Sequence, residues 1–219
     1  MLTETGPTTL KQTDVSEGDV IEIEEAIRAA LSNPSSIESI AQQSYRHQNG
    51  FYKIPLTAKN GEKFRLHVYR VGAKADENIH NHRWDFESKV LCGSLPMHLY
   101  EVVEGDSHRL HTYLRKGRLY VIQYLRKIGL IESPLINIRA GKKYVMKNSL
   151  YHKIATVKML TITYMTTRKT TQRTCDLINE KDMSSTGEGV DEPPLSFQQV
   201  KENLELILQK IQVLNPELV

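Results

Sequence analysis

The first 50 residues carry apolar side chains every third or fourth position. Val20, Ile23, Ile27 and Leu31 form one helical stripe, with Asp19 placed to cap it and Asn33-Pro34 to stop it. A second stripe, Ile37, Ile40 and Ala41, follows Ser35-Ser36 and fades at Asn49-Gly50, so residues 18–50 are expected to be a helical extension. Residues 1–17 are polar and threonine-rich, which predicts a flexible lead-in. From Phe51 the texture changes to short runs of valine, isoleucine, leucine and tyrosine. They are broken at Asn60-Gly61, Gly72, Gly93, Glu104-Gly105-Asp106, Lys116-Gly117, Gly129 and Ala140-Gly141. Runs at that spacing predict an antiparallel sandwich or barrel over residues 51–178, and no alternation of strand with crossover helix suggests a parallel sheet. Residues 179–196, NEKDMSSTGEGVDEPPLS, have the composition of a linker. Beyond them, Phe197, Val200, Leu204, Ile207, Leu208 and Ile211 predict an amphipathic helix over residues 197–219, able to dock on the barrel or on a second copy in a homodimer.

Composition narrows the class without naming a partner. The 219 residues are 39% hydrophobic, enough for one sizeable domain with extensions. Lysine and arginine exceed aspartate and glutamate by 29 to 26, with no arginine-rich arm, so nucleic acid is not an expected partner. Cys92 and Cys175 form no C-x-x-C pair and cannot build a disulfide framework, which fits a reducing compartment. The start, MLTETGPTTLKQT, lacks the apolar core and cationic head of a signal peptide, and no apolar run approaches membrane-spanning length. The expectation is a soluble cytoplasmic protein.

The chemistry is concentrated in ENIHNHRWDFESKVLCG, residues 77–93. On an extended segment His80 and His82 project from one face and can present two nitrogens to one ion. His152, in GKKYVMKNSLYHKI, is the natural third member. Three imidazoles suit iron, zinc, copper, nickel or manganese, because imidazole ligation alone does not choose among them. Asp85 is placed either to orient a histidine or to cap a turn, and Trp84 and Phe86 to form core and cavity wall.

Residues 72–93 resemble the first motif of the cupin superfamily, a glycine, a gap, H-x-H and a closing glycine, and residues 141–152 resemble the second. Lys147 and Ser149 stand where the second motif has proline and glycine. The resemblance implies a double-stranded β-helix barrel over roughly residues 51–167, with a divalent metal held by His80, His82 and His152. It also implies a glutamate as fourth ligand, for which Glu87 is the candidate. In the usual motif that glutamate lies seven residues before the closing glycine, and here that position is Phe86. Strict alternation puts Phe86, Ser88, Val90 and Cys92 on one face and Glu87 on the other, unless a bulge returns Glu87 to the site.

A three-histidine site without the carboxylate is similar to the cysteine (thiol) dioxygenase-like cupins, which use ferrous iron to add both atoms of dioxygen to a substrate sulfur. The lead-in NGEKFRLHVYRVGAKADENIHNH resembles theirs, although no histidine follows His152 to complete their polar network. Tyr164 is the candidate for a catalytic residue reaching the cavity, and Arg65 or Lys53 for holding a substrate carboxylate. The implied function is an Fe(II)-dependent dioxygenase acting on a small molecule, with a thiol as the specific expectation. Two alternatives remain at this level: a zinc- or nickel-bearing cupin doing isomerase, hydrolase or ligase chemistry, and a non-catalytic ligand-binding or scaffolding cupin, and manganese also stays open as the ion.

Overall fold

The structure, a computed structural model, describes residues 10–47, 49–59, 62–73, 77–117, 119–168, 170, 172–188 and 192–214. The N-terminal elements are β1 (Gln12–Asp14), α1 (Glu17–Leu31), α2 (Pro34–Gln43), β2 (Tyr45–Arg46), β3 (Phe51–Lys59), β4 (Glu62–Tyr69) and β5 (Ile79–His80). They are followed by β6 (Phe86–Cys92), β7 (Ser94–Lys116), β8 (Leu119–Glu132), β9 (Ile136–Arg139), β10 (Lys142–Met146) and β11 (Tyr151–Ile154). The chain continues through β12 (Thr161–Thr167), β13 (Cys175–Asn179), β14 (Ser185–Glu188) and α3 (Phe197–Leu214). The strands make two antiparallel sheets, β1-β10-β6-β12-β4-β3-β2 and β11-β5-β13-β7-β8-β14, with β9 added against β7. This mainly β pair of antiparallel sheets is the sandwich or barrel that the spacing of turns and runs predicts.

The first sheet is buried on both faces, which accounts for its long apolar runs. Leu66 and Val68 of β4, with Ile162 and Tyr164 of β12, pack against Val20, Ile23 and Ile27 of α1 and Val200, Leu204 and Ile207 of α3. The alternate residues point into the barrel, where Tyr69, Phe86, Met165, Met97 and Met146 share a second core. A one-residue register slip would exchange these two environments along a whole strand.

Several boundaries differ from the sequence reading. Ser16, not Asp19, caps α1: Asp19 N–H donates to Ser16 Oγ at 3.2 Å while Ser16 N–H donates to Asp19 Oδ2 at 3.0 Å. The pair is a capping box, so Asp19 works from the third helical position. α1 ends at Leu31, just before Asn33-Pro34 as expected, and the same pair opens α2, with Asn33 as cap and Pro34 in the first turn, where its missing N–H costs nothing. The polar stretch 179–196 includes β14, paired to β8, and ends in buried Leu195, whose N–H donates to Ser44 O at 2.8 Å. Residues 1–9, most of the expected flexible lead-in, lie outside the described residues. The break expected at Glu104-Gly105-Asp106 is a register shift within β7, where a Cβ on Gly105 would stand 2.8 Å from Gly129 Cα.

Gly93, between β6 and β7, has φ +74°, and a Cβ there would lie 2.2 Å from Leu160 O and 2.6 Å from Thr161 Oγ1. Gly72 has a similar φ of +76° with open space around it. Gly93→Ala is therefore expected to cost at least ~2 kcal/mol, lowering the melting temperature by roughly 4 °C or more. Gly72→Ala carries the backbone strain alone and should cost less; thermal denaturation of the two variants side by side checks the difference.

Candidate metal centre

His80 is the last residue of β5 and pairs directly with His152 of β11 on one side and Leu177 of β13 on the other. Directly paired residues project to the same face, so the pairing brings two imidazoles together from positions 72 apart in sequence. His82 joins them because Asn81 is turned the other way. The buried Asn81 side chain accepts the Asp176 N–H at 2.6 Å and donates to Asp176 Oδ2 at 3.3 Å. Tyr151 Oη in turn donates to Asp176 Oδ2 at 2.6 Å. With its middle residue clamped to β13, the H-x-H segment shows both flanking imidazoles to the barrel side.

The ring centroids lie 4.9 Å apart for His80 and His82, 4.5 Å for His80 and His152, and 5.0 Å for His82 and His152. One nitrogen from each ring lies within 4.8 Å of the others. An ion bonded to nitrogens at about 2.1 Å holds them about 3 to 4.2 Å apart, so small side-chain adjustments would bring all three onto one ion. His82 Nε2 and His152 Nδ1 are buried without a hydrogen-bond partner. His80 Nδ1 meets Asn78 O at 3.0 Å, and the tautomer that donates there leaves the Nε2 lone pair free. Buried polar nitrogens are costly to leave unpaired. Burial and the neighbouring imidazoles hold His82 and His152 well below the usual histidine range, so both are neutral and electron-donating. The donor set fits a divalent cation.

The other sequence candidates divide. Glu87 is not with the histidines: its Oε1 pairs with Lys89 Nζ at 2.8 Å, and Lys89 reaches Asp19 Oδ1 of α1 at 3.4 Å. Phe86 takes the site side, its ring centroid 4.9 Å from that of His82 and the two planes perpendicular. A bulge is present in β6, but it falls between the pairs Val90–Thr163 and Cys92–Ile162, beyond Glu87. It therefore leaves Glu87 facing the helices, and it turns Cys92 onto the helix-side core, contrary to simple alternation. Tyr164 is also on the helix side, stacked on Phe64 at 5.9 Å with Lys89 over its ring, because the parity of β12 sends Thr163 and Met165 inward instead. Tyr164 is thus removed from the candidate catalytic set. Asp85 accepts from Lys147 and the Asn148 N–H, which makes it a turn cap and not an orienter of histidine.

Arg65 does reach the barrel interior. Its Nε donates to His67 Nε2 at 3.1 Å and its guanidinium lies 5.9 Å from the Trp84 ring, which is 6.0 Å from His82. Lys53 projects from the neighbouring strand and donates to Tyr45 Oη at 2.9 Å. Burial, then the charge of Arg65, pulls the Lys53 ammonium down to about 8, and burial pulls Arg65 down to about 10. Among the described residues neither has a carboxylate partner.

Three residues gave no motif signal: Glu77, Asn49 and His47. They line, with His80, Tyr113 and Arg115, a cavity of about 940 Å³ that reaches the cluster at His80. Glu77 Oε1 lies 3.8 Å from His80 Nε2. Its position three residues before His80 is the one cue the sequence holds. Cys175 lines the same cavity with its thiol pushed up to about 11 by burial, which keeps it unreactive.

The fold and this cluster define a mainly β protein of two antiparallel sheets with a three-histidine site that fits a divalent metal. No protein-family model and no curated protein matches the chain. Similar solved structures include a Streptomyces albus HEPD with 2-hydroxyethylphosphonate and Fe(II) bound, at 9% identity over 56% of this chain and 22% of that one, with a TM-score of 0.33. A salicylate 1,2-dioxygenase from Pseudaminobacter salicylatoxidans matches at 10% identity over 65% of this chain and 33% of its own, with a TM-score of 0.26. A Pseudomonas putida prolyl-4-hydroxylase matches at 11% identity over 73% and 92%, with a TM-score of 0.33. The chain spans about a fifth of the length of the first and a third of the second. No helix among the described residues is long and apolar enough to cross a membrane.

The buried imidazoles set a pH dependence. His67 is held well below the ordinary histidine value of 6.5 by burial and by Arg65, and burial with Lys53 pulls His47 down to about 4. Both are neutral in the folded protein, whereas the unfolded chain takes up protons once pH falls below 6.5. Stability is therefore full above that pH and declines below it, each group contributing up to about 1.4 kcal/mol per pH unit. Denaturant titrations of metal-free protein at several pH values between 7.5 and 4.5 should show that decline, and His67→Gln should flatten it.

Proposed function

We propose that the protein is a mononuclear metal-dependent oxidoreductase acting on a small anionic molecule, with His80, His82 and His152 as metal ligands. The observation that carries this reading is the cluster itself: one nitrogen from each ring lies within 4.8 Å of the others, and among the described residues His82 Nε2 and His152 Nδ1 are buried without a hydrogen-bond partner. Ferrous iron is the proposed ion, and when bound it would supply activation of dioxygen. A small thiol is the specific substrate class proposed.

The chain's own residues supply the rest. Phe86 and Trp84 stand beside His82 and keep water from that side of the cluster. The Asn81–Asp176–Tyr151 clamp fixes the direction of the two imidazoles. Arg65, whose charge acts on His82, and Lys53 beside it add positive charge on one side of a centre that would itself be positive, and an incoming carboxylate or thiolate brings the charge they lack. Arg65 would position the anionic end of the substrate, and the cavity beside His80 would admit it.

Elemental analysis of protein as isolated should find about one iron per chain, and His82→Ala should abolish it. Given ferrous iron without oxygen and then a panel of small thiols, the protein should consume dioxygen on aeration. No uptake with any thiol removes the thiol version, and full zinc occupancy in protein from its natural source removes the oxygen chemistry. Arg65→Met should raise KM for an anionic substrate by roughly ten- to a hundredfold, in line with about 1.5–3 kcal/mol for a charged hydrogen bond, and change kcat less.

A further inference from the structure

We propose that Glu77 is the fourth metal ligand, entering from the segment before His80 and taking the role that the cupin motif would give to a residue of β6. The inference rests on the three-histidine reading above and deepens it.

The Glu77 side chain is 8% exposed. Such a carboxylate is normally paired with a cation, yet among the described residues Glu77 meets neither a lysine nor an arginine within ion-pair distance. Its two oxygens are fixed by neutral donors, Oε2 by the Ile154 N–H at 2.8 Å and Oε1 by Asn49 Nδ2 at 2.7 Å. These bonds aim the carboxylate at His80 from a rigid strand, since Ile154 belongs to the same β11 that carries His152.

Across from Oε1 stands His80 Nε2 at 3.8 Å. With the Nδ1 hydrogen of His80 directed to Asn78 O, Nε2 presents a lone pair, so two electron-rich atoms face each other. The gap is too long for a hydrogen bond. It suits two ligands of one ion, because metal–nitrogen and metal–oxygen bonds of about 2.1 Å place such atoms about 3 to 4 Å apart. The Oδ1 atom of Asn49 adds a third acceptor, buried and without a partner. Glu77 approaches His80 but lies outside the three nitrogens that come within 4.8 Å of one another, so an ion shared with His82 and His152 requires the carboxylate and the histidines to draw together. A cation between them would satisfy Glu77 Oε1 and His80 Nε2 together. Phe86, in the usual position of the acid, offers no competing oxygen.

Titration of metal-free protein with Co(II), followed by visible absorption, tests the assignment without relying on activity. Glu77→Gln is expected to weaken Co(II) binding by about 10- to 100-fold and to shift the ligand-field bands. Glu87→Gln should leave both unchanged. Glu77→Asp, which keeps the charge, should recover part of the affinity and serves as the comparison if the glutamine variant does not fold. Wild-type affinity and spectrum in Glu77→Gln, or in a folded Glu77→Asp when it alone is available, overturn the assignment, as does a loss confined to Glu87→Gln. His82→Ala separates the two claims: if it abolishes binding while Glu77→Gln does not, the histidine site stands without Glu77. If His82→Ala binds Co(II) like the wild type, the histidine reading itself fails.

Discussion

The pairing of His152 against His80 is the contact on which the centre depends. It is a backbone register before it is a side-chain arrangement: β11 must lie between β5 and β7, and a shift of one residue would turn His152 away and present Tyr151 or Lys153 instead. The register is held redundantly. Tyr151 on the opposite face donates to Asp176, and Asp176 grips Asn81 between the two histidines of the motif. Three strands are therefore cross-linked on one face by the residues that alternate with the histidines on the other.

This arrangement explains which parts of the site were legible in the chain. Spacing alone placed His80 and His82 on one face, and the parity of Phe86 and Glu87 relative to Gly93 pointed to the out-of-register acid. The parity argument succeeded at Glu87 and failed at Cys92 because the bulge lies between them. Tyr164 had the same kind of parity information, since its neighbours Thr163 and Met165 pair toward the interior. A sheet buried on both faces gives every position an apolar neighbour, however, so hydrophobicity does not report direction there. Glu77 carried no periodic signal, because its role depends on Asn49 and Ile154, residues 28 and 77 positions away.

The terminal segments show a similar limit. Composition marked 179–196 as polar and breakable, yet a strand and one buried leucine within it fasten α3 to the remainder. A lone leucine in a polar run is weak evidence in sequence and sufficient in structure, because Leu195 is inserted where α2 ends, with its N–H satisfied by Ser44 O. Ser196 then opens α3 by accepting the Gln199 N–H, while Gln199 returns its side chain to the Ser196 N–H.

The one-residue offset at Phe86 and Glu87 has consequences on both faces of the first sheet. On the helix side Glu87 joins Lys89, and through it Asp19 and Lys143, so the N-terminal turn of α1 is tied to two strands by a chain of ion pairs. Lys143 and the Ser16 bonds hold Asp19 well below the usual carboxylate range against the opposing effect of burial, so the network persists throughout the neutral range. On the barrel side Phe86 replaces a charge with a ring against His82. An acid there would have left Lys89 with one carboxylate fewer beneath α1 and brought water-seeking oxygens against Met146 and Met165. The same offset therefore secures the helical layer and dries one wall of the histidine cluster, which leaves the cavity side, where Glu77 lies, as the direction from which negative charge can approach the metal centre.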